Sequence, residues 1–412
     1  MSREKLEQLG LDLPLFPTTS VGSFPKPDYL VRARADFNKQ KITQAQLQEL
    51  ERQATAFWIE TQEKLGIDVL VDGEQYRGDM VAYFAERMPG FTEGGLVRSY
   101  GNRYYHKPII TAEVQWPGPV TVDWWKFAQG LTKKPVKGML TGAYTIMDWS
   151  FNEHYSDRRA TALALAQVIR KEVDVLIAAG CKIIQIDEPA LSVRPEELPI
   201  AIEAMEATTA GLDAYFITHA CYGAFEYIYP GMLDLAVDNF DLEMSNSDLH
   251  MLELFRSHPF TKDISFGVVD VHTHVLEDQG AVRRRVEQAL SILPKDQIWV
   301  DPDCGLKTRT VDEAIDKLRL CVAAAKAFRT DKNADISLDS PGWFNPSRKK
   351  LGCYDAASWP PIPRATQPRS KRSSTRAILF RTTCGCCAGA ARVVPAGSRS
   401  PRFLEPQSPA AL

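Results

Sequence analysis

Eight short apolar, β-branched runs recur along this chain, and each ends in polar or acidic residues. They are PTTSVGS (17–23), IDVLVDGE (67–74), KGMLTGAYT (137–145), KIIQIDEPA (182–190), AYFITHACYG (214–223), NFDLEMSNS (239–247), ISFGVVDVHT (264–273) and QIWVDPDCG (297–305). Between most of them lie patterns of helical period, over 158–179, 195–210, 280–293 and 311–328. The order is therefore a repeated βα unit. Eight such units in about 330 residues predict an α/β fold, a single-domain (β/α)8 TIM barrel, whose chemistry sits at the C-terminal strand ends. Asp72 and Glu74, Asp187 and Glu188, His219 and Cys221, Glu243, His272 and Cys304 all fall there. A doubly wound open sheet would place ligands along the same edge, but it offers fewer strand ends around one point.

Charge separates the chain into two parts. The net formal charge is -3, yet residues 1–350 carry 40 basic and 50 acidic groups, while 351–412 carry nine Lys/Arg against two Asp/Glu. An acidic main body gives a nucleic-acid role no support. The barrel domain is expected over 1–357. Residues 358–412, rich in Pro, Arg and Ser and without a periodic apolar face, read as a disordered, non-native tail resembling out-of-frame translation. The CGCC run within it (384–387) reads as incidental, because no second ligand pair lies at useful spacing. The start MSREKLEQLG has no signal-like apolar stretch, and no run reaches the roughly 20 apolar residues a membrane span needs. A soluble, cytoplasmic protein is the expectation, and in a reducing compartment cysteines bind metal or do chemistry more often than they pair.

The sequence offers one metal constellation. In the extended segment THACYG, His219 and Cys221 share a face because strand side chains alternate with period two. Cys304, in DPDCGLKTR, stands at the mouth of another strand, and Glu243 ends the strand between them. A His, two Cys and a carboxylate on separate strands suit Zn²⁺ in a reactive site rather than a local zinc knuckle. Two thiolates and a carboxylate overcompensate the ion, which makes it a poor activator of water but leaves it able to hold an incoming thiol as thiolate. A free thiol, with a pKa of about 8.5, is otherwise mostly protonated at neutral pH. Thiol alkylation is thus favoured over hydrolysis.

Seven ordered segments, TTSVGSFPKP, LVDGEQYRGDMVAYFAERMPGF, KGMLTGAYTIMDWSF, IIQIDEPAL, THACYG, GVVDVHT and WVDPDCGLKTR, together resemble the C-terminal catalytic barrel of cobalamin-independent methionine synthases, from about Leu15 to about Ala357. The resemblance implies a zinc enzyme that moves a methyl group from 5-methyltetrahydrofolate, or its polyglutamate, to the sulfur of homocysteine. It makes His219, Cys221, Glu243 and Cys304 the zinc ligands, in agreement with the spacing. It also implies that Val21, Gly22 and Ser23 border homocysteine, that Glu74 and Asp187 hold its ammonium group, and that His272 donates the proton. Trp149 and Arg103 match folate contacts. Tyr104, beside Arg103, replaces the family's cysteine, and Val193 replaces a folate-binding glutamate, so a methyl-corrinoid protein is the alternative donor. Glu243 is expected to loosen as homocysteine enters.

Other readings compete. Glu74 and Asp187 could instead cap helices after their strands. VHTHVL (271–276) carries the H-x-H of some metal hydrolases, but no later histidine follows His274. A barrel that binds methionine or folate without turnover is the non-catalytic reading. The insertion 88–125, with RSYGNRYYHKPII, is either functional or a surface hairpin.

Overall fold

The computed structural model describes residues 2–329 apart from 100–102, 222, 224 and 246–248. Six parallel strands form one sheet in chain order: β1 (Gly138–Thr141), β2 (Ile183–Asp187), β3 (Tyr215–Ala220), β4 (Asn239–Leu242), β5 (Asp263–Val269) and β6 (Ile298–Pro302). The main helices are α1 (Gln44–Leu65), α2 (Ala143–Asp148), α3 (Arg158–Ala178), α4 (Leu198–Thr209), α5 (Gln279–Leu290) and α6 (Val311–Arg329). The four helices expected from periodicity are present to within a few residues at each end. Side chains set their starts: Thr43 and Gln46 form a capping box on α1, and Asp157 and Asp278 cap α3 and α5.

The first two expected strands are present only as extended segments. Thr18 bridges Val300 and Leu70 bridges Val136, both in parallel. Hydrogen bonds from Val300 N to Pro17 O (2.9 Å), Val69 N to Thr18 O (3.0 Å) and Leu70 N to Pro135 O (2.8 Å) nevertheless join them into the ring between β6 and β1. The barrel is closed, as expected. The ladders are short for local reasons. Pro17 has no N–H to give, and Asp68 Oδ2 accepts from both the Thr18 N–H (2.8 Å) and its hydroxyl (2.6 Å). Further along, the Gln62 side-chain amide takes both the N–H (3.0 Å) and the carbonyl (2.8 Å) of Val71.

An apolar plug of Leu6, Leu11, Leu13, Val69, Ile183, Tyr215, Ile217 and Trp299 fills the end of the barrel where the strands begin. Tyr215 and Trp299 stack there at 5.5 Å. Apolar matter thus closes one end, and polar residues occupy the strand ends opposite.

The 88–125 insertion carries a hairpin, Leu96–Ser99 with Arg103–His106, and short strands at 91–92 and 109–110. It is anchored by the buried Glu172 of α3, whose carboxylate accepts from Trp116 Nε1 (2.9 Å), Val120 N (2.9 Å), Thr121 N (2.7 Å) and the Thr121 hydroxyl (2.8 Å). Residues 330–412, which include the end of the expected domain and the whole expected tail, lie outside the described residues. No helix among the described residues is long and apolar enough to cross a membrane.

Candidate metal and thiol site

The donor atoms of His219, Cys221 and Cys304 all lie within 4.8 Å of one another. His219 is the penultimate residue of β3, Cys221 directly follows that strand, and Cys304 follows β6, so three strand-end donors from two separated strands meet at one point. His219 is oriented from behind: its Nδ1 lies 2.9 Å from Asp241 Oδ1 of β4, while its buried Nε2 has no hydrogen-bond partner. An imidazole fixed through one nitrogen with the other left over is the usual arrangement of a metal ligand. Burial opposes protonation of His219, but Asp241 outweighs it and raises the pKa well above the ordinary value. The two thiols share a proton. Cys221 donates to Cys304, which lowers the Cys304 pKa well below the usual thiol range, with His219 helping, and raises that of Cys221. A thiolate, a second thiol and an unpartnered imidazole nitrogen fit Zn²⁺.

Glu243, expected as a fourth ligand, is not in this three-membered cluster. Its Oε1 faces His272 Nε2 at 3.3 Å, and its charge also helps raise the Cys221 pKa. The contact joins two residues that the sequence reading kept in separate roles. The Glu243 carboxylate beside it raises the pKa of His272 against the opposing effect of burial. His274 points elsewhere, to the exposed side chain pair with Glu313 (3.0 Å), and neither histidine of VHTHVL belongs to the donor cluster.

Asp303 ties the strand ends of this site together. Its carboxylate accepts from Met244 N (3.1 Å), Ser245 N (2.9 Å) and the Ser245 hydroxyl, and its own N–H donates to Val269 O (3.0 Å). Gly267 makes room for it, since a Cβ there would lie 2.3 Å from Asp303 Oδ1.

The expected amino-acid pocket adjoins the donor cluster. Gln185 Nε2 donates to Val21 O (2.7 Å) and to Asp187 Oδ1 (2.7 Å), so one amide links two of its members. Gly22 lies against Glu74, where a Cβ would sit 3.3 Å from Oε1 and 2.6 Å from Met139 Cε. Ser23 O accepts from Leu306 N (2.8 Å), and the Ser23 hydroxyl packs on Gly305, next to Cys304. Neither acid caps a helix. Glu74 stands in a turn at φ 54°, a left-handed conformation uncommon for a non-glycine residue, with its carboxylate 3.3 Å from Arg77 Nη1. The helix-capping carboxylate is the neighbouring Glu188, which accepts from Tyr144 N (3.1 Å), Thr145 N (2.7 Å) and the Thr145 hydroxyl (2.6 Å) at the start of α2.

That helix ends at Trp149. The Tyr105 ring lies 6.3 Å from Trp149, and Lys107 Nζ donates to Asp148 O (3.4 Å), so the insertion meets the segment expected to contact the donor. Arg103 and Tyr104 open the returning strand of the hairpin, and their side chains lie outside the described residues. Val193 is exposed.

Two buried residues were missed from sequence. Gln185 is the period-two neighbour of Asp187 in IIQID, and strand alternation alone would have placed both facing inward. Lys137, at the head of β1, donates to Ser20 O (2.7 Å) and to Gln185 Oε1, which fixes the amide that bridges Val21 and Asp187.

The profile of the family "Cobalamin-independent synthase, Catalytic domain" matches residues 16–327. The chain belongs to the cobalamin-independent methionine synthase family. It is 42% identical over 340 residues to a 5-methyltetrahydropteroyltriglutamate–homocysteine methyltransferase of Flavobacterium johnsoniae, covering 80% of this chain and 44% of that one. A Saccharophagus degradans protein of the same name is 41% identical over 345 residues, covering 80% and 45%. The chain thus spans less than half the length of these curated relatives. Among solved structures it is similar to a B12-independent methionine synthase from Shewanella sp. W3-18-1 in complex with selenomethionine, with a TM-score of 0.68, 27% identity, and coverage of 76% of this chain and 98% of that one.

Proposed function

We propose that this barrel transfers a methyl group from 5-methyltetrahydropteroyltriglutamate to the sulfur of homocysteine, yielding methionine. One observation carries the reading: a His-Cys-Cys donor set shares the barrel mouth with Val21, Gly22, Ser23, Glu74 and Asp187, the residues expected to hold an amino acid. Zinc held by His219, Cys221 and Cys304, with Glu243 beside them, would supply a Lewis acid that keeps an incoming thiol deprotonated near neutral pH.

The protein's own groups do the rest. Glu74 and Asp187 take the substrate ammonium, and the 21–23 backbone borders the amino acid. Trp149 offers an aromatic face to the pterin, with Arg103 and Tyr104 on the adjoining hairpin. As the sulfur attacks the methyl group in line, the S–C bond forms and the N–C bond of the folate breaks. His272, whose protonated form Glu243 favours, delivers its proton to the departing nitrogen.

The relatives' names support the folate donor over a corrinoid protein, and the selenomethionine bound by the Shewanella relative is an analogue of the product. The deciding assay is methionine formation from homocysteine with 5-methyltetrahydropteroyltriglutamate, its monoglutamate or methylcobalamin, with and without a chelator. Folate-dependent turnover lost on chelation and restored by Zn²⁺ is the expected result. Turnover that survives complete metal removal would refute the zinc role. Methionine binding without product from any donor would replace the enzyme with a binding barrel.

A further inference from the structure

We propose that Lys317 is a positioning residue for His272, its buried ammonium group holding the 270–277 loop in the shape that directs the imidazole toward Glu243. The inference rests on the reading of His272 as the proton donor and extends it to a residue more than forty positions away in sequence.

The loop leaves β5 after Val269 and reaches α5 only at Gln279, with no helix or strand between. Its backbone groups therefore have no ladder to satisfy them. Lys317 supplies the missing partner. Its Nζ donates to Asp270 O (2.7 Å), Val275 O (2.9 Å) and Glu277 Oε2 (3.1 Å), which uses all three ammonium protons on the two ends of one loop. Glu277 Oε1 then accepts from Asp270 N (2.6 Å), and Asp270 Oδ1 accepts from His272 N (2.7 Å). Arg285 Nη1 adds a brace, donating to Val268 O (2.6 Å) just before the loop and to Glu277 Oε1 (3.4 Å). A short run of charge-assisted bonds thus leads from Lys317 to the His272 backbone.

The placement of Lys317 is unusual enough to call for a reason. It is almost fully buried (1% exposed) on the apolar face of α6 that also carries Ala314, Leu318 and Cys321. Burying an ammonium group is costly, and a methionine of similar length would fill the site without that cost. Core packing alone gives no cause for a lysine there. The loop it holds does, because a general acid contributes only when held within hydrogen-bond reach of the atom it protonates.

The test uses the full chain loaded with zinc. Lys317→Met is compared with the parent for methionine formation from homocysteine and 5-methyltetrahydropteroyltriglutamate, for bound zinc per chain, and for hydrogen exchange of peptides spanning 270–277. The expected result is exchange at least ~10-fold faster across the loop and kcat lower by about 10²-fold, with KM for homocysteine within about twofold and zinc content unchanged. The apolar pair Lys317→Met/Glu277→Leu separates positioning from simple stability, since it removes both charges of the buried Lys317–Glu277 pair together while Arg285 keeps its bond to Val268 O. It should regain the parental melting temperature while kcat stays low. Recovery of kcat together with melting temperature, or unchanged loop exchange in Lys317→Met, would overturn the proposal. If Lys317→Met does not fold, Glu277→Gln makes the same comparison, and unchanged kcat and exchange there would overturn it equally. A parent protein that forms no methionine would instead refute the proposed reaction, while the exchange measurement still decides whether Lys317 holds the loop.

Discussion

Asp187 gives the substrate pocket a pH dependence whose sign and size follow from its surroundings. Burial first, and then the nearby charges of Glu74 and Asp241, push its carboxyl up to about 7 against the opposing pull of His219. Only the ionised form can hold an ammonium group. A carboxyl with a pKa of about 7 is ionised in roughly one molecule in ten at pH 6 and nine in ten at pH 8. Homocysteine binding should therefore strengthen as pH rises, with KM ~10-fold higher at pH 6 than at pH 8, a difference of about 1.4 kcal/mol. Asp187→Asn removes both the charge and its titration. Its KM should be raised by roughly 10- to 100-fold at pH 8, the loss of one charge-assisted hydrogen bond of about 1.5–3 kcal/mol. The gap between variant and parent should shrink toward pH 6. Initial rates at saturating methyl donor and saturating Zn²⁺, taken from pH 6 to pH 8 for both proteins, give the ratio of the two KM values, in which titration of homocysteine itself cancels. A ratio that does not change with pH would refute the reasoning, and so would an Asp187→Asn variant with parental KM.

Three further perturbations test the frame around the site. Asp241→Asn weakens the bond that orients His219 and should lower zinc affinity by about 10- to 100-fold, measured by competition with a chromogenic chelator. Gly267→Ala would bring a Cβ within 2.8 Å of Leu242 O and 2.9 Å of Asp303 Cα, so backbone must move between the strands bearing Glu243 and Cys304. A loss of about 1–3 kcal/mol by denaturant titration, with reduced bound zinc, is expected. Glu172→Ala leaves four donors of the 116–121 segment without their acceptor and should destabilise the protein by about 3–5 kcal/mol, while Glu172→Gln, which keeps one acceptor oxygen, should cost less.

The alternation of apolar runs with helical periods was sufficient to specify the barrel, because strand and helix periods are local properties of the chain. The same locality placed His219 and Cys221 on one face and put Cys304 at a strand mouth, and the ordered motifs identified the family. Locality also explains why the ladders at 17–23 and 67–74 are shorter than the pattern suggests: the strand-like period is local, but the Asp68 and Gln62 side chains take some of the backbone groups there. What tertiary structure alone decided is which polar groups meet. Glu243 turned out to face His272, Gln185 to join Val21 to Asp187, Glu172 to anchor the insertion, and Lys317 to hold the histidine loop. Each is a contact between residues far apart in sequence, formed because a buried donor or acceptor must find a partner wherever the folded chain brings one near. No residue pattern encodes that partner, since it depends on the position of every intervening element.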